Sequence, residues 1–218
     1  MSKIALITGA TSGIGAACAH LFAAQGYNLV LLGRREQLLT EVSKHLEDKY
    51  AVEVKKIVAD VRDNEDLSYR LETLPQQWKK VDVLINNAGL SQGLDPIDKG
   101  NIDDWDTMID TNVKGLLYTT RIVSNWMIAR KAGHIVNIGS MGGFQGSVKF
   151  PGLSAYSSSK SALHTLTECL AFELAETGIK VNCLALGSAQ TEMLEQAFPG
   201  YQSPVLAFEM GKYVADFA

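Results

Sequence analysis

Cysteine and proline are scarce in this chain, with three of the first and five of the second in 218 residues. Cys18, Cys169 and Cys183 share no short spacing, which excludes a disulfide scaffold and reads as reduced thiols of a cytoplasmic protein. Five prolines exclude collagen-like and proline-rich linker sequences. Long apolar runs are missing too: no window reaches the roughly 18 residues of a membrane span. The apolar start, Ile4 to Ile7, is too short for the core of a signal peptide. No basic run tracks a phosphate backbone, and 20 Lys and Arg against 24 Asp and Glu leave a net charge of −4, so nucleic acid is not an expected partner. The four histidines and three cysteines have no metal-ligand spacing, and no metal site is expected.

What is present is hydrophobic and periodic. Hydrophobic residues make up 46% of the chain, enough for one domain over 1–218 with its own core. Short apolar runs at Ile4–Ile7, Leu29–Leu32, Val52–Val58, Val81–Ile85, His134–Ile138 and Ile179–Leu184 read as strands. Several are too apolar for a sheet with one solvated face, and suit a parallel sheet covered on both sides. Helical stretches fall between them, near 13–26, 35–49, 63–78, 103–131 and 155–177. The alternation predicts right-handed crossovers and an α/β fold, a doubly wound parallel sheet with helices on both faces.

Glycines cluster where the first strand meets the first helix, in Thr8-Gly9-Ala10-Thr11-Ser12-Gly13-Ile14-Gly15. Such a loop permits a tight turn and close backbone approach to a pyrophosphate, which the helix N-terminus then attracts. A glycine turn without a ligand is the plainer alternative. No Gly-Lys-Ser/Thr ending follows, which excludes the usual P-loop. At the end of the second strand, where an acidic residue would bind the ribose hydroxyls of NAD, stand Gly33-Arg34-Arg35. Two guanidiniums suit the 2′-phosphate of NADP(H), although they also suit a solvated helix start.

Tyr156 and Lys160 lie four apart at the start of a helical stretch and share a face. Ser140 follows a strand, at the sheet edge where ligands bind in open parallel sheets. A tyrosine with an ordinary pKa of about 10 becomes a base near neutrality only if a nearby cation stabilises its phenolate. Ser157-Ser158-Ser159 equally reads as a helix cap region. Gly152-Leu153-Ser154-Ala155-Tyr156 approaches a nucleophile elbow but lacks its second glycine and a histidine base.

These motifs together resemble the short-chain dehydrogenase/reductase family. Thr8-Gly9-x-x-x-Gly13-Ile14-Gly15, Asp60-Val61, Asn86-Asn87-Ala88-Gly89, Asn112-Val113-x-Gly115, Ser140 and Tyr156-x-x-x-Lys160 run in family order over about residues 3–193. The resemblance implies a Rossmann-type fold and an NADP(H)-dependent oxidoreductase moving hydride between nicotinamide and a small carbonyl or secondary alcohol. It implies Tyr156 as proton donor or acceptor, Ser140 orienting the carbonyl, Lys160 holding the nicotinamide ribose and lowering the Tyr156 pKa, and Asn112 supporting a water-linked proton relay. Gly9, Thr11, Ser12, Gly13, Ile14 and Gly15 would take the pyrophosphate and Arg34 and Arg35 the 2′-phosphate. Asp60 and Val61 would flank the adenine. Asn87, Ala88, Gly89 and Gly187 would line the cleft, with Thr191 reaching the carboxamide. A non-catalytic NADP-binding sensor or scaffold of the same fold is the alternative.

Leu74-Pro75-x-x-Trp78 and Asp104-Trp105-x-x-Met108-Ile109-Asp110-Thr111-Asn112 are similar to the NADP-dependent 3-hydroxy acid (serine-type) dehydrogenase branch. Three departures stand against that likeness. Ser140 and Tyr156 are 16 positions apart, more than is usual in the family. Leu186-Gly187 replaces a Pro-Gly, which is expected to loosen that turn. The segments after Ser140 and Thr191 carry Met141, Phe144, Phe150, Leu153, Met193 and Phe198 but one cation, Lys149, so a fairly apolar carbonyl or alcohol is the expected substrate. Glu209 to Ala218 reads as a last helix with no further strand. The family's final edge strand is therefore expected to be missing, with the gap covered by a partner or by a longer chain. A homodimer or homotetramer is expected.

Overall fold

In the computed structural model, which describes residues 2–218, six parallel strands form one sheet. They are β1 (Ile4–Thr8), β2 (Asn28–Gly33), β3 (Val54–Val58), β4 (Val83–Asn86), β5 (Gly133–Ile138) and β6 (Ile179–Leu184). Their order is β3-β2-β1-β4-β5-β6. The chain reverses its direction of travel across the sheet between β1 and β4, which pair as Leu6 with Leu84 and Ile7 with Ile85. That switch point opens a crevice at the carboxyl ends of both strands, where Thr8-Gly9 and Asn86-Asn87 emerge.

Every residue of β1 and of β4 is buried, because side chains alternate between two covered faces. Leu6, Leu84 and Ile135 point into a core shared with Leu67, Leu71, Trp78, Val123 and Met127. Ala5, Ile7, Ile85 and Val136 point the other way, onto Phe22, Leu39, Leu46 and Val214. The helices that cover these faces are α1 (Gly13–Ala24), α2 (Glu36–Tyr50) and α8 (Ala207–Phe217) on one side. On the other lie α3 (Asn64–Glu72), α5 (Gly115–Arg130) and α6 (Ser154–Glu173). Two shorter helices, α4 (Ile102–Ile109) and α7 (Glu192–Ala197), flank the carboxyl edge.

Several boundaries differ from the sequence expectation for identifiable reasons. The stretch 63–78 is not one helix: α3 ends at Glu72, and Pro75, which has no N–H to donate, precedes a separate 3₁₀ turn at Gln76–Lys79. The stretch 155–177 ends as a helix at Glu173, followed by a 3₁₀ turn at Ala175–Thr177 and Gly178 at φ +79°. The stretch 103–131 is helical but passes through a single π turn, Asp110–Lys114, between α4 and α5. The short helix α7 went unrecognised in the sequence. No described helix is long and apolar enough to cross a membrane.

Candidate active site

A cleft of about 1340 Å³ runs along the carboxyl edge of the sheet. The glycine loop forms its floor. Gly9 at φ +67° and Gly13 at φ +56° adopt the left-handed backbone that side chains disfavour. Ser12 stands at the N-cap of α1, but no side chain caps the helix's first N–H groups. Those donors face the cleft, and they favour an anion. Asn87 fixes the neighbouring strand end: its Nδ2 donates to Thr8 O at 3.0 Å and Gly9 O at 3.1 Å. The Thr8 hydroxyl accepts from the N–H groups of Asn87 at 3.1 Å and Ala88 at 2.9 Å.

At one end of the cleft lie Arg34, Arg35, Asp60 and Val61. Both guanidiniums are exposed, with Arg34 at 3.6 Å from Asp60. Arg62 binds the same carboxylate at 2.7 Å. Burial alone would raise the Asp60 carboxyl, but hydrogen bonds from Arg62 and the charges of Arg62 and Arg34 hold it below its ordinary value. Arg35 donates to Thr11, Ser12 and Glu192.

At the other end the structure brings Ser140, Tyr156, Lys160 and Asn112 together. The π turn contains Asn112, whose Oδ1 accepts from Leu90 N at 2.8 Å. Its Nδ2 donates to Leu90 O at 3.0 Å and to Ser159 Oγ at 2.9 Å. Ser159 in turn donates to Tyr156 O at 2.7 Å. This chain of bonds ties the turn of α6 that bears Tyr156 to the α4–α5 junction. A Cβ on Gly89 would lie 3.1 Å from Asn112 Oδ1 and 3.2 Å from Lys160 Nζ, so that glycine keeps the space between them small. Lys160 is buried and donates to Ile138 O at 2.8 Å. The Ser140 hydroxyl accepts from Gly142 N at 3.1 Å and hydrogen-bonds the Tyr156 phenol.

The long Ser140–Tyr156 connection keeps both hydroxyls on one side of the cleft by folding back on itself. A 3₁₀ turn at Met141–Gly143 starts it, and Gly152 at φ +81° ends it so close to Leu94 O that a Cβ there would lie 2.1 Å away. Met141 N donates to Leu186 O at 2.8 Å, and Leu186 N to Leu184 O at 3.0 Å. The turn at Leu186-Gly187 is therefore tied, not loosened: a proline at 186 would lose the second of these bonds. Thr191 accepts from Leu194 N at 3.2 Å as the N-cap of α7, and its methyl group lies over Gly13.

A sequence profile of the short-chain dehydrogenases matches residues 3–202. The chain belongs to the short-chain dehydrogenase family. It is 42% identical over 193 residues to sulfoacetaldehyde reductase 2 of Chromohalobacter salexigens, covering 88% of this chain and 75% of that one. It is 38% identical over 184 residues to an NADP-dependent 3-hydroxy acid dehydrogenase of Escherichia coli K12, covering 84% and 71%. Among solved structures, the closed form of a serine dehydrogenase complexed with NADP+ superposes with a TM-score of 0.86 at 32% identity, covering 97% and 87%.

In this short-chain dehydrogenase two expectations about the tyrosine pair change. Enclosure raises the Tyr156 phenol above its ordinary value, and the hydrogen bond from Ser140 only partly offsets that. The Lys160 ammonium spends a donor on the Ile138 carbonyl. Nor do Ser157 to Ser159 cap a helix, because α6 begins at Ser154 with Leu153 at its N-cap. Ser154, the would-be nucleophile, is an exposed residue of that first turn. Two residues of this region were not assigned to the site from the sequence, Ser159 and Glu192. Ser159 carried a signal only in its spacing of three from Tyr156, and Glu192 none.

Burial disfavours the Lys160 ammonium and pushes its pKa down to about 8 from 10.5. A depressed lysine holds fewer protons folded than unfolded between those values, so its cost to stability is full below about pH 8 and fades towards 10.5. Lys160→Met is expected to stabilise the fold by about 1–3 kcal/mol at neutral pH, the lost bond to Ile138 O offsetting part of the gain. Urea unfolding at neutral pH and near pH 10.5 checks this. The gain should shrink at the higher pH, and a destabilised variant at neutral pH would contradict it.

Proposed function

We propose that this chain is an NADP(H)-dependent oxidoreductase that interconverts a small, uncharged, fairly apolar ketone or aldehyde and its alcohol. One observation carries the reading: a single cleft has two exposed arginines at one end and Ser140, Tyr156 and Lys160 at the other. The glycine loop, with the uncapped start of α1 above it, fits a pyrophosphate between those ends. Gly9, Thr11, Ser12, Gly13, Ile14 and Gly15 would hold the diphosphate and Arg34 and Arg35 the 2′-phosphate. Asp60 and Val61 would border the adenine, and Asn87, Ala88, Gly89, Gly187 and Thr191 the nicotinamide half.

When bound, the cofactor supplies or accepts hydride at C4 of its nicotinamide. The residues of this chain do the rest. Ser140 positions the carbonyl oxygen, its hydroxyl already set by Gly142 N. An ordinary tyrosine, with a pKa of about 10, is already protonated at neutral pH, and burial raises Tyr156 further, so it can donate a proton to the oxygen as alkoxide character develops. Lys160 would hold the ribose hydroxyls with the donors it does not give to Ile138 O. Asn112, fixed through Leu90 and Ser159, supports the water that returns the proton to Lys160.

Substrate choice follows from the lid. Met141, Val148, Phe150, Leu153, Met193 and Phe198 line that end of the cleft. Lys149, the cation of the loop, has its ammonium on Gly142 O, Phe144 O and Ser147 Oγ at 2.6–2.9 Å. It does not present the bidentate grip a carboxylate or sulfonate wants, even though two relatives are named for such substrates. Initial rates of NADPH oxidation test this: neutral ketones should exceed 3-oxo acids and sulfoacetaldehyde in kcat/KM by at least about tenfold. Faster turnover of the anions would overturn the substrate class.

The protein works in the cytoplasm as a homodimer or homotetramer. Three unpaired cysteines support the compartment, and family membership supports the assembly.

The arginines make a separate demand. Replacing both Arg34 and Arg35 with Gln should raise the Kd of NADPH by about 10- to 100-fold and that of NADH by less than about threefold. Calorimetric titration measures both, and equal losses would remove the 2′-phosphate role.

A further inference from the structure

Arg35 already has an anion. Its Nη1 donates to both carboxylate oxygens of Glu192, at 3.0 and 2.8 Å. The opposite side of the same guanidinium donates to Thr11 Oγ1 at 3.1 Å and Ser12 Oγ at 2.7 Å. One side chain thus joins the glycine loop to the first residue of α7, 157 positions away. The Glu192 carboxyl is held below its ordinary value by the hydrogen bond and charge of Arg35. Glu192 also lines the cleft beside the arginines.

We propose that Glu192 is a built-in competitor for the Arg35 guanidinium and thereby a determinant of cofactor affinity: the 2′-phosphate must displace it. The proposal rests on the reading of Arg35 as a 2′-phosphate ligand. A phosphomonoester carries about two negative charges near neutral pH and outbids a single carboxylate for a planar fork of donors. It does so against the repulsion of Glu192, which the 2′-hydroxyl of NADH does not feel. The pair itself is weak enough to be displaced, since the two side chains are 42% and 49% exposed and solvent screens them. Displacement also removes that charged tie between α7 and the glycine loop, leaving the Thr191 methyl over Gly13 as a contact between them. With NADH bound, Glu192 keeps Arg35, and α7 stays tied.

The test is a double-mutant cycle read by calorimetry with NADPH and NADH. Glu192→Gln should bind NADPH about three- to fivefold more tightly than the unaltered chain and NADH equally well. In an Arg35→Gln background the same change should gain less than half as much. NADPH binding that is unchanged or weaker in Glu192→Gln, while Arg35→Gln weakens NADPH selectively, would overturn the competition and leave the cofactor reading intact. If Arg35→Gln weakens NADPH and NADH alike, the cofactor reading fails, and the proposal falls with it.

Discussion

Tyr156→Phe is expected to lower kcat by about 10²- to 10⁴-fold, the usual worth of a positioned general acid or base. The substitution deletes one oxygen from a half-buried ring. That oxygen's side-chain partner is the Ser140 hydroxyl. Ser140 keeps its other bond, from Gly142 N at 3.1 Å, so no buried group is left without a partner. Stability should therefore stay within about 1 kcal/mol, and NADPH should bind within about threefold. The loss should appear in both directions of the reaction, since a substitution cannot change the overall equilibrium. Stopped-flow single turnovers separate this from binding. A Phe variant within tenfold of normal would remove Tyr156 from the chemistry.

Gly15→Ala is expected to cost nearly as much by a different route. A Cβ at that position would lie 2.3 Å from Gly9 O and 2.4 Å from Asn87 Nδ2. Neither neighbour can give way cheaply. Gly9 O is backbone, and Asn87 Nδ2 is the donor that joins the glycine loop to the end of β4. Alanine's helix preference returns about 1 kcal/mol, whereas forced overpacking costs about 1–3 kcal/mol and more where backbone must shift. We expect a net destabilisation of about 1–2 kcal/mol, a fall in Tm of about 2–8 °C, and NADPH affinity down by more than about tenfold. Gly187→Ala is the stability control, since nothing lies within 4 Å of its added Cβ. If Gly15→Ala matched that control in Tm and the unaltered chain in NADPH affinity, the loop would not be the crowded cofactor floor described above.

Much of this was legible in the sequence because burial on two faces writes itself as unbroken apolar runs. Ile4–Thr8 and Val83–Asn86 are buried throughout, and their composition admits little else. The edge strand β3 alternates more, with Lys55 and Lys56 exposed, and its start fell two residues later than the apolar pattern indicated. The π turn was hidden for another reason. Asp110–Lys114 is locally a good helix, and one extra residue per turn there depends on what Asn112 bonds to, namely Leu90 and Ser159 from distant segments. The anionic partner of Arg35 was hidden in the same way, since a separation of 157 residues leaves no pattern. Lys149 was visible as the cation of the lid, but its capture by three oxygens of its own loop is a property of the folded turn.

The most direct measurement is isotope transfer. NADPH deuterated at C4 is incubated with the chain and a neutral apolar ketone, and the product alcohol is analysed by mass spectrometry. The account predicts an alcohol carrying one deuterium at the carbinol carbon, formed by the unaltered chain and nearly abolished in Tyr156→Phe. A chain that binds NADPH tightly yet transfers no deuterium to any neutral or anionic carbonyl would contradict it, and would leave a cofactor-binding protein without the chemistry.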